Sequence, residues 1–230
     1  MQNNKSEVLL IDADDTLWEN NIYFERVIAS VQMMLRPLGV TPEEFRGHLN
    51  EAERKHIVIH GYGTENFTRS LVATYERFLP PGSDSSMSSK VRDLGLGIMD
   101  HPLELLDGVQ ETLDYLAPRH TLFLVTKGDR GEQTRKIEAS KLRSYFRDVE
   151  ILSEKNAAAF KQLMKKGSWD PVRTWMVGNS PRSDINPAIS AGINAVYIPH
   201  PHTWVLEHEE PVQHPRLLQL GRFSELRQHF

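Results

Sequence analysis

Five short apolar runs constrain the fold of this chain most strongly. The last four of them alternate with helical patterns. The runs cover residues 8–11, 121–125, 149–152, 174–177 and 195–198. Near-continuous apolar runs of this length are typical of strands that are covered on both faces, as in a parallel sheet. Helical patterns lie over residues 109–117, 131–140, 156–166 and 183–191. This alternation predicts a Rossmann-like, doubly wound α/β sheet.

Residues 20–100 interrupt the alternation and contain no convincing strand. Helical patterns cover residues 22–38, 42–59 and 65–79, and the Ser-rich stretch 80–86 is typical of a loop. Thr41 followed by Pro42 and Glu44 is a strong signal for a helix start. The sequence therefore predicts a core made of residues 1–19 and 101–230, with a helical cap domain, residues 20–100, inserted after the first strand.

Clustered carboxylates directly follow the first predicted strand, in the run Asp12-Ala13-Asp14-Asp15-Thr16. Ligands of open α/β sheets bind outside the carboxyl ends of the strands, and residues two apart on an extended chain point the same way. We therefore expect Asp12 and Asp14 to face one pocket, where Mg²⁺ is the expected counter-ion. The alternative for this motif alone is an acidic turn that caps a helix.

Polar groups also follow the next three strands, and each is weak evidence when taken alone. Thr126 and Lys127 end the second strand, where a hydroxyl and backbone N–H groups can hold phosphate oxygens. Lys155 follows the third strand, although a surface lysine is the commoner explanation there. The fourth strand leads into Gly178-Asn179-Ser180-Pro181-Arg182-Ser183-Asp184. As an ordered set, acid, hydroxyl, lysine and acid are far stronger evidence than any one of them.

This ordered set resembles the motifs of the haloacid dehalogenase-like hydrolase superfamily, in its phosphatase branch with a helical cap. Asp12, Asp14 and Thr16 match the DxDxT pattern, and Thr126, Lys155 and the segment from Gly178 to Asp184 match the later motifs. The resemblance covers nearly the whole chain. It implies a Rossmann-like core whose active site is closed by the inserted helices.

The resemblance also implies roles for the matched residues. Asp12 would attack phosphorus and form an aspartyl-phosphate. Asp14 would protonate the leaving oxygen and then activate the water that hydrolyses the intermediate. Mg²⁺ would bind the Asp12 carboxylate, the Asp14 backbone carbonyl and Asp184. Thr126 and Lys155 would hold the phosphoryl oxygens, with Lys127 as a further substrate-binding residue.

One position departs from the pattern of many relatives, because Asn179 stands where they carry an aspartate. An amide oxygen can still bind Mg²⁺ or its water, but it brings no charge. We therefore include Asn179 among the predicted metal ligands and expect metal affinity to depend on this residue.

Three other functions remain open at this stage. A phosphomutase shares all these residues and differs in how the cap controls water. A haloacid dehalogenase also uses an aspartate nucleophile but needs neither metal nor the carboxylate of Asp14. A catalytically silent binding or regulatory module is the third, although all four chemical positions are filled. Sugar phosphates, nucleoside monophosphates and phosphoglycolate are all compatible substrates.

Composition excludes several classes of protein. A net charge of −4, from 27 basic and 31 acidic residues, does not indicate a nucleic-acid binder. There is no cysteine, so disulfides and thiolate sites are excluded. The polar amino terminus lacks the apolar stretch of a secretory signal, and no run approaches the roughly 20 apolar residues of a membrane span. We expect a cytoplasmic enzyme with no nucleic-acid or membrane partner, and the oligomeric state stays open.

Two further segments carry weaker predictions. Tyr62, in the Gly61-Tyr62-Gly63 break between two cap helices, is a candidate for substrate selection, with an ordinary exposed loop as the alternative. The segment from His200 to His214 contains His200-Pro201-His202, a pattern that can ligate zinc or copper. Because it follows the fifth strand and lacks cysteine, we expect it to pack against the motif loops, with Trp204 as an anchor.

Overall fold

The computed structural model describes residues 6–230 and contains the predicted parallel sheet, with six strands rather than five. The strands are β1 (Val8–Ile11), β2 (Thr121–Lys127), β3 (Asp148–Leu152), β4 (Thr174–Gly178), β5 (Asn194–Tyr197) and β6 (Leu217–Gln219). Their order is β3-β2-β1-β4-β5-β6, so the sheet reverses direction of winding beside β1. The prediction for the polar amino terminus falls largely on residues 1–5, which lie outside the described residues.

Eight α-helices lie within residues 6–230. They are α1 (Asn21–Leu35), α2 (Pro42–His60), α3 (Thr64–Arg77), α4 (Ser85–Leu96), α5 (Val109–Leu116), α6 (Arg130–Ser140), α7 (Ala157–Gly167) and α8 (Asn186–Ala191). Within this part of the chain, none combines the length and the apolar character that crossing a bilayer requires.

Apolar side chains cover the sheet on both faces, which explains the near-continuous apolar runs of its strands. Leu9 and Ile11 of β1 belong to one buried cluster, whereas Leu10 between them belongs to another. The first cluster includes side chains of α5 and α6, and the second includes side chains of α7 and α8. Successive residues of a strand point to opposite faces, so a strand buried on both sides cannot alternate with polar residues.

The register of β1 brings three loops to one edge of the sheet. Ile11 lies opposite Leu124 of β2 and Val177 of β4. All three strands run in parallel, so the residues that follow them leave the sheet at the same edge. This edge is beside the point at which the strand order reverses, which is where open α/β sheets bind ligands.

Contacts divide the chain into two compact units. One consists of the chain up to Glu19 together with Leu103–Phe230 and holds the sheet; the other is Asn20–Pro102 and holds α1 to α4. The helical unit has its own core, in which Val31, Leu35 and Phe45 are fully buried with Leu49 and Leu71. A separate apolar core is what an inserted domain needs to fold as a unit.

Helix ends in the second unit follow the predicted signals. Thr41 Oγ1 accepts a hydrogen bond from the backbone N–H of Glu44 at 3.1 Å, and Pro42 is the first residue of α2. Helix α2 ends at His60 and α3 begins at Thr64. Gly61 and Gly63 between them have φ angles of 78° and 127°, which glycine adopts without steric penalty.

The sequence predicted neither α4 nor β6, and it placed the end of one loop wrongly. Residues 80–86 were predicted as a loop, but α4 begins at Ser85, and Asp84 Oδ1 accepts the N–H of Ser86 at 2.9 Å. Asp84 is thus a helix cap, and the serines after it form the first turn of a helix. Strand β6 pairs with β5. It has only three residues, which are too few for a recognisable pattern in the sequence.

Candidate active site

Asp12 leaves the end of β1 and is almost fully buried, with 6% of its surface exposed. Its backbone N–H donates to Val177 O at 2.9 Å, which extends the pairing between β1 and β4 by one residue. Thr16 Oγ1 lies 3.0 Å from Asp12 Oδ2 and donates to it. The first and last residues of the DxDxT pattern are therefore in direct contact at the edge of the sheet.

Lys155 links two carboxylates that come from distant parts of the chain. Its ammonium donates to Asp12 Oδ1 and, at 2.7 Å, to Asp184 Oδ1. Only 4% of Lys155 is exposed. Although burial lowers the pKa of Lys155, the charges of Asp12 and Asp184 raise it above its ordinary value. Lys155 is therefore a permanent cation between two buried acids.

A tight turn after β4 places Asp184. Residues Pro181–Ile185 form a short π-helical segment before α8, where the sequence predicted one regular helix over 183–191. Single π turns of this kind are frequent at functional sites. The Ser180 N–H donates to Asp184 Oδ2 at 3.0 Å, and a Cβ on Gly178 would overlap with the Asp184 carboxylate. Glycine at position 178 is thus required by the close approach of Asp184.

The charges of this cluster do not balance. Burial and the charge of Asp184 raise the pKa of Asp12 to about 7, although Lys155 opposes them. One ammonium therefore does not fully stabilise two buried carboxylates at neutral pH. A divalent cation would supply the missing charge, and the donor set of carboxylate and amide oxygens suits Mg²⁺. The carboxylates of Asp12 and Asp184 and the amide oxygen of Asn179 are the side-chain groups that would hold it.

Asn179 lies beside this cluster and is also buried. Its Oδ1 is 3.3 Å from Thr16 Oγ1, and its Nδ2 donates to Thr203 Oγ1 at 3.0 Å. The acceptor, Thr203, lies in the segment after β5. That segment therefore packs against the loop after β4, as the sequence analysis expected, and orients the amide of Asn179.

Asp14 lies near Asp12, but its carboxylate is engaged by other residues. Lys136 Nζ donates to Asp14 Oδ1 at 2.7 Å and to Oδ2 at 2.8 Å, and Gln133 Nε2 donates to Oδ2 at 2.8 Å. Trp18 Nε1 donates to Oδ1 at 2.7 Å. Burial alone would raise the pKa of Asp14, but the charge of Lys136 and these hydrogen bonds outweigh it and hold the pKa below its ordinary value. Asp14 is therefore a carboxylate at neutral pH.

Three predicted site residues remain, and each has different surroundings. Thr126 is buried near the end of β2, two residues beyond the residue that pairs with Ile11. Lys127 donates to Glu207 Oε1 at 2.6 Å and to Ser183 Oγ at 2.8 Å, so an ion pair engages its ammonium. Tyr62 lies in the loop between α2 and α3 of the helical unit. Substrate contacts by Thr126, Lys127 and Tyr62 stay predictions.

Glu207 was missed by the sequence analysis. It is buried, and its Oε2 accepts hydrogen bonds from Ser180 Oγ at 2.6 Å and from Ser183 Oγ. Burial raises its pKa, but Lys127 and the two serines outweigh this effect and lower it below its ordinary value. Glu207 ends a 3₁₀ turn of only three residues, Val205–Glu207, so no periodic pattern in the sequence marks it.

His200 lies beside two acids and beside His202, whose ring centroid is 5.8 Å from that of His200. Its Nε2 is 3.4 Å from Glu19 Oε2, and its Nδ1 is 3.8 Å from Asp15 Oδ1. One ligand atom from each of Asp15, Glu19 and His200 lies within 4.8 Å of the others. Burial lowers the pKa of His200 below its ordinary value, although Glu19 opposes this. The backbone N–H of His202 donates to His200 Nδ1 at 3.3 Å, which fixes the ring.

Comparisons with known proteins agree with this architecture. A haloacid dehalogenase-like family hydrolase from Xanthomonas campestris is 26% identical, with a TM-score of 0.86 and coverage of 100% of this chain and 92% of that chain. A 2-haloacid dehalogenase from Pseudomonas syringae pv. Tomato is 22% identical, with a TM-score of 0.60 and coverage of 97% of both chains. The HAD hydrolase YfnB from Bacillus subtilis, solved bound to magnesium, is 15% identical, with a TM-score of 0.64 and coverage of 98% of both chains.

The last two of these structures support the fold alone, because their sequence identity is low. No curated protein matches the sequence significantly. The family of haloacid dehalogenase-like hydrolases matches residues 9–198, a range that includes Asp12, Lys155 and Asp184. The chain therefore belongs to the haloacid dehalogenase-like hydrolases.

Proposed function

We propose that this hydrolase is a Mg²⁺-dependent phosphatase that acts on a small phosphorylated metabolite through an aspartyl-phosphate. The arrangement of Asp12, Lys155 and Asp184 supports this proposal most strongly. Asp12 is a buried carboxylate held by a permanent cation, and a second buried carboxylate shares that cation. Two acids and one ammonium leave room for the charge of a divalent cation, which a phosphate ester substrate requires more than a haloacid does.

Two displacements would complete the reaction. In the first, an Asp12 oxygen forms a bond to phosphorus while the ester P–O bond breaks, and Asp14, after taking up a proton from solvent, passes it to the leaving oxygen. In the second, water attacks phosphorus, Asp14 takes a proton from that water, and the Asp12 carboxylate leaves. Lys155 and Thr126 would hold phosphoryl oxygens throughout. Mg²⁺, when bound, would neutralise charge between the acids and the phosphate.

The carboxylate of Asp14 favours a phosphatase over a dehalogenase. A dehalogenase displaces a halide, which needs no proton, so it has no use for a second acid beside its nucleophile. In this protein three donors hold Asp14 next to the site as an ordered carboxylate. Asp184 is likewise a buried acid, and it shares the single ammonium of Lys155 with Asp12, so the two carboxylates together carry one negative charge more than the lysine neutralises.

Haloacid dehalogenation is the second candidate, because proteins named for this activity share the fold. A 2-haloacid dehalogenase from Pseudomonas syringae and an L-2-haloacid dehalogenase from Xanthobacter autotrophicus share this fold over 97% of the chain. An aspartate nucleophile paired with a lysine would serve this chemistry without metal. The two candidates therefore differ in their leaving group and in their need for Mg²⁺.

Product release from two substrate sets tests the proposal. Purified protein is incubated with p-nitrophenyl phosphate and a panel of sugar phosphates, nucleoside monophosphates and phosphoglycolate, and free phosphate is measured with Mg²⁺ or with EDTA. In parallel, 2-chloropropionate is supplied and chloride is measured. We expect phosphate release that EDTA abolishes and that Asp12→Asn eliminates, and no chloride release.

Each other outcome overturns the proposal in a defined way. Chloride release without metal would establish the dehalogenase. Conversion of one sugar phosphate into its isomer, with little free phosphate, would establish a phosphomutase. Retained turnover in Asp12→Asn would refute the nucleophile. Asp107→Asn is the matched control, because Asp107 is an exposed acid of the same unit and its loss should leave turnover unchanged.

A further inference from the structure

Helix α6 presents two side chains to one carboxylate. Gln133 and Lys136 are three residues apart, so they lie on the same face of the helix. Together they make three contacts with Asp14 of 2.7 to 2.8 Å, and both carboxylate oxygens are used. Trp18 approaches Oδ1 from the chain segment that follows Asp14. A carboxylate with donors on both oxygens has little freedom to rotate.

The loop after β2 fixes Gln133 in its turn. Gln133 Nε2 also donates to Lys127 O at 3.0 Å, so the two hydrogens of its amide join Asp14 to the end of β2. Gly128 lies against this amide: a Cβ there would come within 2.9 Å of Gln133 Nε2. The strand end that carries Thr126 is therefore connected to Asp14 through α6.

We propose that Lys136 and Gln133 are positioning residues for Asp14, which hold its carboxylate as the proton acceptor of the second displacement. The inference rests on the proposed phosphatase function, because only there does Asp14 accept a proton from water. The attacking water must meet one oxygen of this carboxylate at a fixed position. The two side chains donate to both oxygens and so fix the plane of the carboxylate.

The two displacements depend on this arrangement to different extents. p-Nitrophenolate is a stable leaving group, so transfer of phosphate to Asp12 needs little help from an acid when p-nitrophenyl phosphate is the substrate. Hydrolysis of the aspartyl-phosphate still needs an oriented base. Loss of Lys136 therefore slows the second displacement selectively, and the phosphorylated enzyme accumulates.

Lys136→Met is compared with Lys161→Met, which removes an exposed lysine from α7 of the same unit. We expect Lys136→Met to lower kcat for p-nitrophenyl phosphate by about 100-fold, a typical loss on misplacing a catalytic group, with KM changed less than about threefold. Acid-quenched enzyme should contain more phosphate bound to Asp12 than wild type. In an Asp14→Asn background, Lys136→Met should have no further effect on kcat. Lys161→Met should match wild type in every measurement.

A spectroscopic measurement tests the positioning without turnover. The protein has four tryptophans, and ¹⁵N-indole labelling gives one N–H signal for each, with Trp18 assigned through Trp18→Phe. Because Trp18 donates to Asp14, both Lys136→Met and Gln133→Ala should shift its signal, whereas Lys161→Met should not.

The outcomes separate this inference from the function on which it rests. An unmoved Trp18 signal, additive losses in the double variant, or a kcat for Lys136→Met within twofold of wild type would overturn the positioning role while leaving the phosphatase intact. If wild type releases no phosphate from any ester, the proposed function fails. The indole signals still report in that case whether Lys136 holds Asp14.

Discussion

Gly178 and the carboxylate of Asp184 lie so close together that a methyl group at position 178 would overlap with Asp184 Oδ2. The same carboxylate accepts hydrogen bonds from Ser180 N and from Lys155. It cannot retreat without losing both bonds. The glycine of this motif is therefore explained by packing against an acid and not by a left-handed backbone, since its φ angle is not among the positive ones.

Gly178→Ala should displace Asp184 and weaken metal binding. We expect kcat/KM to fall by about 100-fold and the half-saturating Mg²⁺ concentration to rise, because an ångström-scale misplacement of a catalytic group commonly has an effect of this size. Mg²⁺ titrations of phosphate release measure both quantities.

Gly47→Ala is the matched control: Gly47 lies in α2 with nothing within 4 Å of the added methyl group. It should leave turnover unchanged and stabilise the protein slightly. Wild-type behaviour of Gly178→Ala would show that Asp184 can move without consequence.

Asn179→Asp should tighten Mg²⁺ binding. Asn179 lies beside Thr16, and Thr16 donates to Asp12, so a carboxylate at 179 adds charge next to two existing acids. Since ligand charge sets the affinity of hard-cation sites, we expect the half-saturating Mg²⁺ concentration to fall on the order of tenfold. Asn179→Ala should move it in the opposite direction. Isothermal titration calorimetry of both variants tests this, and equal affinities would remove Asn179 from the metal ligands. Without metal, Asn179→Asp should melt at a lower temperature than wild type, because like charges then repel.

The sequence predicts some contacts at this edge of the sheet but not others. Lys155 meets Asp12 and Asp184 because all three follow parallel strands, and the apolar runs predict those strands. Neither Lys136 nor Glu207 could be predicted in this way. Lys136 reaches Asp14 only through the rotation of α6 about its axis, which the weakly amphipathic sequence of that helix does not specify. Glu207 ends a three-residue 3₁₀ turn, which is too short to leave a periodic pattern in the sequence.

Lys127→Met should destabilise the protein strongly. Lys127 is the cation paired with Glu207, and both side chains are mostly buried. Removing one partner of a buried pair leaves an uncompensated charge, which typically lowers the free energy of unfolding by about 3–5 kcal/mol. Urea denaturation measures this loss, with Lys161→Met as the control. Lys127→Met combined with Glu207→Gln should recover much of the loss, because glutamine keeps hydrogen bonds to the serines without a charge. If Lys127→Met is as stable as wild type, the ion pair does not contribute to the fold.

The same pair predicts a loss of stability in acid. The pKa of Glu207 is lower in the folded protein than its ordinary value of 4.5, so the folded state binds fewer protons there than the unfolded state. Its contribution is fully present above pH 4.5 and is lost as the pH falls through the folded value. The free energy of unfolding of Glu207→Gln should therefore fall less than that of wild type as the pH is lowered from about 5. Parallel curves for the two proteins would contradict this assignment.

Asp12 should have the opposite effect on stability, because its pKa is raised. The folded protein holds a proton on Asp12 up to about pH 7, whereas its ordinary pKa is 3.8, so the folded state loses stability as the pH rises from 3.8 to about 7 and does not regain it above that. In EDTA at pH 8, we expect Asp12→Asn to melt at a higher temperature than wild type, since asparagine resembles the protonated acid. The difference should shrink as the pH falls from 7 towards 4. Asp107→Asn, at an exposed position, should show no such trend.

Saturating Mg²⁺ should reverse the order at pH 8, because a cation that binds the ionised Asp12 stabilises wild type more than the variant. If Asp12→Asn gains no stability at pH 8 without metal, the excess negative charge around Lys155 does not exist, and the physical reason for a divalent cation at this site is lost with it.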